Sequence, residues 1–148
     1  LSARDVASLI THRGADPGAA VAPAVEAVAA RAQPGDVVWH ASWDDFAPLF
    51  HAAPGLRYVA GMDPWWLVAH DPEDARVHAE IGAGLLAGDA LRSALQERFG
   101  ARHVVLWNRP DATGRVATRH PELEAALRAA PWAEPVHEDA AAVAFSLR

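Results

Sequence analysis

The sequence predicts an α/β protein: a three-layer sandwich with a central, mostly parallel sheet and an antiparallel C-terminal hairpin at the edge. Short apolar segments rich in β-branched residues alternate with segments whose apolar residues recur every three or four positions. Proline–glycine pairs separate several of them. Two strand-like segments close the chain with only a short turn between them, as in a hairpin. Because strands joined by helices connect through right-handed crossovers, helices are expected on both faces of the sheet.

Length and composition favour one α/β domain that spans residues 1–148. The chain has 148 residues, 51% of them hydrophobic and 22% charged, which is the range of globular proteins that bury a core. The formal net charge of −6 excludes a protein that coats nucleic acid, since such proteins need an excess of positive charge. The sequence has no cysteine, which excludes disulfides and thiolate metal sites.

Two short amphipathic helices are expected first, over residues 4–12 and 21–28, where apolar residues recur at helical spacing. Pro23 is compatible with the second helix only in its first turn, because proline lacks the N–H that the helix interior needs. Pro34-Gly35 ends this helix, and Val37 to His40 form a first strand.

The next helix is predicted from a capping pattern. Ser42 stands three residues before Asp45, which resembles a capping box at a helix N-terminus. A short helix follows and ends at Pro54-Gly55. Its expected buried face consists of Phe46, Leu49 and Phe50.

A second strand is expected from Arg57 to Gly61, followed by a further helix start. Asp63 is in an N-cap position and Pro64 in the first helical position, which is the usual order of these two residue types. Trp65 and Trp66 come directly after them.

Two more helices are predicted before the third strand. The first is polar, runs over residues 71–84 and begins at Pro72. The second is capped by Asp89 and ends at Gly100, with apolar residues recurring every four positions. Those residues are Leu91, Leu95 and Phe99.

The last third of the chain supplies a strand, a helix and the hairpin. His103 to Trp107 form the third strand, and a helix begins at Pro121 and ends at Pro131. Residues 134–138 and 141–147 form the hairpin.

The candidate binding residues follow the predicted strands. In open α/β sheets, ligands lie beyond the carboxyl ends of the parallel strands. Indole rings stack on the apolar faces of pyranoses and carboxylates accept hydrogen bonds from hydroxyls, so a saccharide site is one interpretation. The polar and aromatic residues in these positions are His40, Ser42, Trp43, Asp44, Asp45, Met62, Asp63, Trp65, Trp66, Asn108, Arg109 and Asp111. The predicted substrate-binding residues are Trp43, Asp44, Asp45, Asp63, Trp65 and Trp66.

Two other interpretations of this rim remain open. Asp45 and Asp63 can be helix caps while the tryptophans close the core, in which case the domain is purely structural. Alternatively, His40, Asp44 and Asp63 surround a metal or water in a free-standing small α/β enzyme or small-molecule-binding domain. The sequence has no closely spaced metal motif, nucleophile elbow or phosphate-binding glycine loop, so no catalytic residue, metal ligand or cofactor is predicted.

A family resemblance rests on residues 34–74, PGDVVWHASWDDFAPLFHAAPGLRYVAGMDPWWLVAHDPED. This run resembles the extracytoplasmic C-terminal domain of bacterial multi-spanning GT-C glycosyltransferases of the dolichyl-phosphate-mannose mannosyltransferase type. The pattern there is a strand, W-D-x-F-P-x-L-F, an aromatic strand and G-x-D-P. It falls here on Trp43, Asp44, Phe46, Leu49, Phe50, Tyr58, Gly61, Asp63 and Pro64, with the proline of the first motif one position later, at Pro48.

The segments FGARHVVLWN and EPVHEDAAAVAFSLR are similar to the end of that domain, so the likeness covers about residues 20–148. It implies a fragment of a longer membrane protein, on the periplasmic or outer face, that packs on its own transmembrane domain. The implied role is recognition of the acceptor or of a lipid-linked sugar, with catalysis left to the membrane part. SWDD is also similar to the W-W-D-Y-G segment of oligosaccharyltransferases, but Asp45 and Phe46 replace its Tyr and Gly, so peptide binding is not implied.

Overall fold

A five-stranded sheet lies between two layers of helices. The computed structural model describes residues 17–61, 63–108 and 120–148, so the helix predicted over residues 4–12 lies outside the described residues. The strand order is β2-β1-β3-β5-β4. The strands are β1 (Val37–His40), β2 (Arg57–Tyr58), β3 (Ala101–Trp107), β4 (Ala133–Glu138) and β5 (Ala142–Leu147).

The pairing confirms the predicted fold class. Strand β1 pairs in parallel with both β2 and β3, and β5 runs antiparallel to β3 and to β4. The carboxyl ends of β1, β2 and β3 therefore meet at one edge of the sheet. The C-terminal hairpin completes the other side, with β4 as the outermost strand.

The helices are α1 to α6 in chain order, and most of them begin or end at the predicted proline and glycine signals. Within the described ranges, none combines the length and apolar character that crossing a bilayer requires. Helix α5 continues into a π-helical segment at Ser93–Arg98, and Gly100, with φ of 65°, follows it. The helices are α1 (Pro17–Ala29), α2 (Phe46–Ala52), α3 (Pro64–His70), α4 (Pro72–Gly82), α5 (Gly88–Arg92) and α6 (Pro121–Ala129).

Each face of the sheet carries its own apolar cluster. Because successive strand residues point to opposite faces, Val104 and Leu106 pack with helices α4, α5 and α6. Val105 and Trp107 pack with α1 and α2 on the other face. Alternate side chains of β3 thus pack against the two helical layers, which confirms that helices cover both faces of the sheet.

The prediction for Pro23 is wrong. Helix α1 begins at Pro17, so Pro23 lies in its interior and not in the first turn. Pro23 cannot donate to the carbonyl of Ala19, four residues earlier. Ala19 is exposed, so water can satisfy that carbonyl, and the apolar face of Val21, Val25 and Val28 stays fully buried.

The predicted capping box at Ser42 is also wrong. Ser42 precedes a 3₁₀ turn over Trp43–Asp45 and its side chain makes no capping bond. Its hydroxyl donates instead to the carboxylate of Asp44. On α2, Leu49 is fully buried, but Phe50, which we expected to be buried, is 45% exposed.

Two further boundaries differ from the prediction. Asp89 lies in the first turn of α5, whose N-cap is Ala87, because the helix begins earlier than the cap signal indicated. Strand β2 is only two residues long; the N–H of Val59 still donates to the carbonyl of Val38 at 3.2 Å, but the ladder does not reach Gly61.

Candidate functional site

A small cleft opens at the carboxyl edge of the parallel strands. It has a volume of about 200 Å³, and its walls include Ser42, Trp43, Asp63 and His78. These residues come from the turn after β1, the start of α3 and the middle of α4. The parallel strand order brings these separate segments together, as expected for the carboxyl edge of an α/β sheet.

Asp63 fixes the start of helix α3, as the sequence predicts. Its carboxylate accepts a hydrogen bond from the N–H of Trp65 at 2.9 Å, and Pro64 follows in the first helical position. The helix holds Trp65 and Trp66 outward, 75% and 62% exposed. The cap therefore begins a helix that carries two exposed indoles, while Leu67 and Val68 of the same helix line the cleft.

Replacing Asp63 by alanine is expected to lower the free energy of unfolding by about 0.5–2 kcal/mol, since the N–H of Trp65 loses its acceptor. Chemical denaturation followed by circular dichroism measures this loss. Asp63→Asn keeps a capping oxygen, so its free energy of unfolding is expected to be close to that of the parent protein. Asp89→Ala is the control, because Asp89 makes no capping bond at the start of α5. An equal loss for Asp63→Ala and Asp89→Ala contradicts the capping role.

The turn after β1 holds the other indole and two carboxylates. Trp43 is 50% exposed and lines the cleft. Asp44 accepts a hydrogen bond from the Ser42 hydroxyl, which fixes its carboxylate next to the cleft wall. Asp45 is only 3% exposed. Of the two neighbouring carboxylates, Asp44 is therefore the more exposed, and neither of them lines the cleft.

His40 ends strand β1 and is fully buried. Its Nδ1 lies 2.9 Å from the carbonyl oxygen of Ser42, and its Nε2 lies 3.0 Å from that of Ala60. Protonation would let both nitrogens donate, but loss of hydration outweighs these contacts, and burial lowers the pKa of His40 to about 4. At neutral pH the imidazole is uncharged and ties β1 to the segment after β2.

His78 is a site residue that the sequence did not predict. It projects from α4 into the cleft wall, and its Nε2 donates to the carbonyl oxygen of His40 at 2.9 Å. Its ring lies 5.0 Å from that of Trp39 between centroids, and burial lowers its pKa. Because Nε2 carries the proton of the neutral ring, Nδ1 is an acceptor. A single histidine in a polar helix gives no sequence signal of this position.

The structure places only part of the predicted rim at the cleft. Trp43 and Asp63 line one cleft, Trp65 and Trp66 stand on the helix beside it, and Asp44 is joined to it through Ser42. After β3, the N–H of Asn108 donates to the carbonyl of Ala141 at 2.7 Å. Predicted rim residues outside the described ranges are Met62, Arg109 and Asp111.

Comparisons with known proteins give no assignment. No protein-family model matches the chain, and no similar curated protein or solved structure was found. In the parts of the chain that the structure describes, no three His, Cys, Asp or Glu side chains are grouped so that they could hold a metal ion.

Proposed function

We propose that this chain is an accessory domain of a membrane glycosyltransferase and that its carboxyl edge recognises a saccharide, either in the acceptor or in a lipid-linked sugar. One observation carries the proposal: the half-exposed Trp43 and Asp63 line one cleft, and the helix that Asp63 caps carries two further exposed tryptophans, Trp65 and Trp66. Exposed indoles are costly in water and are typical of binding surfaces. Paired with a carboxylate, they offer stacking and hydrogen bonding to a sugar ring.

The size of the cleft supports binding across its mouth. At about 200 Å³, it is smaller than the roughly 300–1,000 Å³ typical of enclosed small-molecule sites. A sugar ring therefore stacks on the exposed indoles and directs its hydroxyls inward. Capping uses Oδ1 of Asp63, and a carboxylate has further acceptor positions, so Asp63 can also accept from a hydroxyl.

The resemblance of residues 34–74 to the soluble domain of GT-C enzymes supports the choice of parent protein. In this proposal the domain lies on the extracytoplasmic face, packs on its own transmembrane domain and has no catalytic residue or cofactor. The alternative, a free-standing enzyme or small-molecule-binding domain built on His40, Asp44 and Asp63, has less support. His40 is fully buried and both its ring nitrogens face backbone carbonyls, so it is poorly placed to act on a ligand.

The indole N–H resonances test the proposal within one protein. We expect titration with α-linked mannose or β-linked glucose trisaccharides to shift the resonances of Trp43, Trp65 and Trp66 in heteronuclear NMR spectra. The resonance of Trp132 should stay in place, because its side chain is buried and does not line the cleft. Trp65→Ala is expected to weaken binding about tenfold, equivalent to about 1.4 kcal/mol.

Leu85→Ala provides the matched control, because Leu85 is another large apolar side chain that is 72% exposed but lies between α4 and α5 and not on the helix that carries Trp65. It is expected to leave the saccharide titration unchanged. If no trisaccharide shifts the three exposed indoles, or if Leu85→Ala weakens binding as much as Trp65→Ala, saccharide recognition at this edge is wrong. The tryptophans and carboxylates would then be structural.

A further inference from the structure

A second cleft lies at the opposite edge of the sheet, at the amino ends of β1 and β3. It has a volume of about 470 Å³, within the roughly 300–1,000 Å³ range of small-molecule sites. Its walls differ from those of the carboxyl-edge cleft because they contain two arginines and no tryptophan. The polar residues that line it are Arg31, Gln33, Asp36, Arg102, His103 and Ser146.

An irregularity in β3 brings two neighbouring residues to this cleft. Val37 pairs with Ala101, but the next residue of β1, Val38, pairs with His103. Arg102 is therefore an extra residue outside the regular pairing. Neighbouring strand residues normally point to opposite faces, whereas a bulge re-aims side chains, and here Arg102 and His103 both line the cleft.

The two arginines of this cleft have no carboxylate partner among the described residues. The guanidinium of Arg31 donates to the carbonyl of Ala27 at 3.3 Å, and no ion pair of Arg102 is found there. Four other arginines form ion pairs, whereas Arg57 and Arg92 form none among the described residues. The four paired arginines are Arg76, Arg98, Arg128 and Arg148.

The one carboxylate in the cleft is already engaged. Asp36 accepts from the backbone N–H of Gln33 at 2.9 Å and lies 3.5 Å from Nε2 of His103. His103 is 4% exposed, and its Nδ1 lies 3.1 Å from the Ser146 hydroxyl. Burial, together with the nearby Arg102 charge, lowers the pKa of His103 although Asp36 opposes this. The histidine is therefore neutral at neutral pH, and the positive charge comes from the arginines.

We propose that this cleft binds a small organic phosphate, with Arg31 and Arg102 holding the phosphate group. Guanidinium groups form charge-assisted, often bidentate hydrogen bonds to phosphate, and the two arginines outweigh the Asp36 carboxylate of the same cleft by one positive charge. The volume exceeds what a bare phosphate ion needs, so the organic part lies against Gln33 and Ser146. Two arginines without an ion-pair partner among the described residues, in a chain with a net charge of −6, support a site for an anion.

This site is independent of the proposed saccharide surface, because the two clefts lie at opposite edges of the sheet and share no residue. A phosphate ligand at the amino edge also does not depend on the identity of the parent protein. Trp65→Ala should consequently leave phosphate binding unchanged, and failure of one proposal leaves the other standing.

Calorimetric titration with glycerol phosphate, inorganic phosphate and glycerol tests the inference. Glycerol phosphate is expected to bind, and glycerol is not. Arg31→Gln and Arg102→Gln should each weaken the binding about tenfold or more, since each removes a charge-assisted contact. Arg92→Gln is the matched control: Arg92 is exposed, is hydrogen bonded to Gln96 and does not line the cleft.

Thermal melts of each variant verify that it is folded at the titration temperature. Any of three results would overturn the inference. The first is that glycerol phosphate does not bind, and the second is that inorganic phosphate binds while the ester does not. The third is that Arg92→Gln weakens binding as much as Arg102→Gln. The last result would reveal nonspecific attraction to surface charge.

Discussion

Replacing Gly84 by alanine is expected to lower the free energy of unfolding by about 2–5 kcal/mol. Gly84 has φ of +69°, and a Cβ built on it would lie 2.4 Å from Cβ of Glu122 and 3.1 Å from the backbone nitrogen of Leu123. These atoms belong to the first turn of α6 and cannot rotate aside. The clash would push away a helix whose Leu123 and Leu127 are fully buried. Urea denaturation followed by circular dichroism measures the loss.

Gly88→Ala separates the close contact from backbone strain. Gly88 also has a positive φ, +55°, but no atom lies within 4 Å of a Cβ built there. We therefore expect a loss of only about 1–2 kcal/mol, the cost of placing alanine in the left-handed region. Equal losses for the two variants would show that the approach of α6 to Gly84 contributes nothing.

Acidification is expected to destabilise the fold through His40. Burial lowers the pKa of this histidine from 6.5 to about 4 in the folded state. At pH values between 4 and 6.5, His40 binds a proton in the unfolded chain but not in the folded chain. The stabilisation is therefore fully present above about pH 6.5 and is lost as the pH falls toward 4. The difference between the two pKa values corresponds to about 3 kcal/mol.

Urea denaturation at several pH values between 7 and 4 measures this dependence. His40→Gln should flatten it, while His51→Gln, a change at an exposed position, should not. Some dependence will remain in His40→Gln because burial also lowers the pKa values of His78 and His103. A direct NMR titration of the His40 ring in the parent protein does not depend on whether the variant folds. A measured pKa above 6 would contradict the prediction.

Local signals predicted the order of strands and helices well. Proline after an aspartate marks the starts of α3 and α4, and the short apolar segments together with the closing hairpin predicted the sheet. Asp63 behaves as predicted because capping involves only the next two residues. Ser42 does not: a capping hydroxyl accepts from a backbone N–H, whereas this hydroxyl accepts no capping bond and donates to Asp44. Which local partner a serine hydroxyl takes cannot be read from spacing alone.

The parts of the sites that the sequence missed depend on contacts between distant segments. His78 is 38 residues from the His40 carbonyl to which it donates, and no pattern in α4 distinguishes it. The positions of Arg102 and His103 in the amino-edge cleft depend on the register between β1 and β3. Register depends on how whole strands pack, so the sequence of either strand alone did not predict this cleft.

The two outer strands of the sheet have a consequence for behaviour at high concentration. Strand β2 offers only two residues along one border. On the other border, β4 contains Pro135, where the pairing with β5 becomes irregular, and it begins and ends near Glu134 and Glu138. Short borders, proline and charge all hinder the addition of a foreign strand. These features disfavour fibril growth by addition of strands to the folded molecule. At high concentration or during long storage, the sheet should therefore not pair with strands of other molecules.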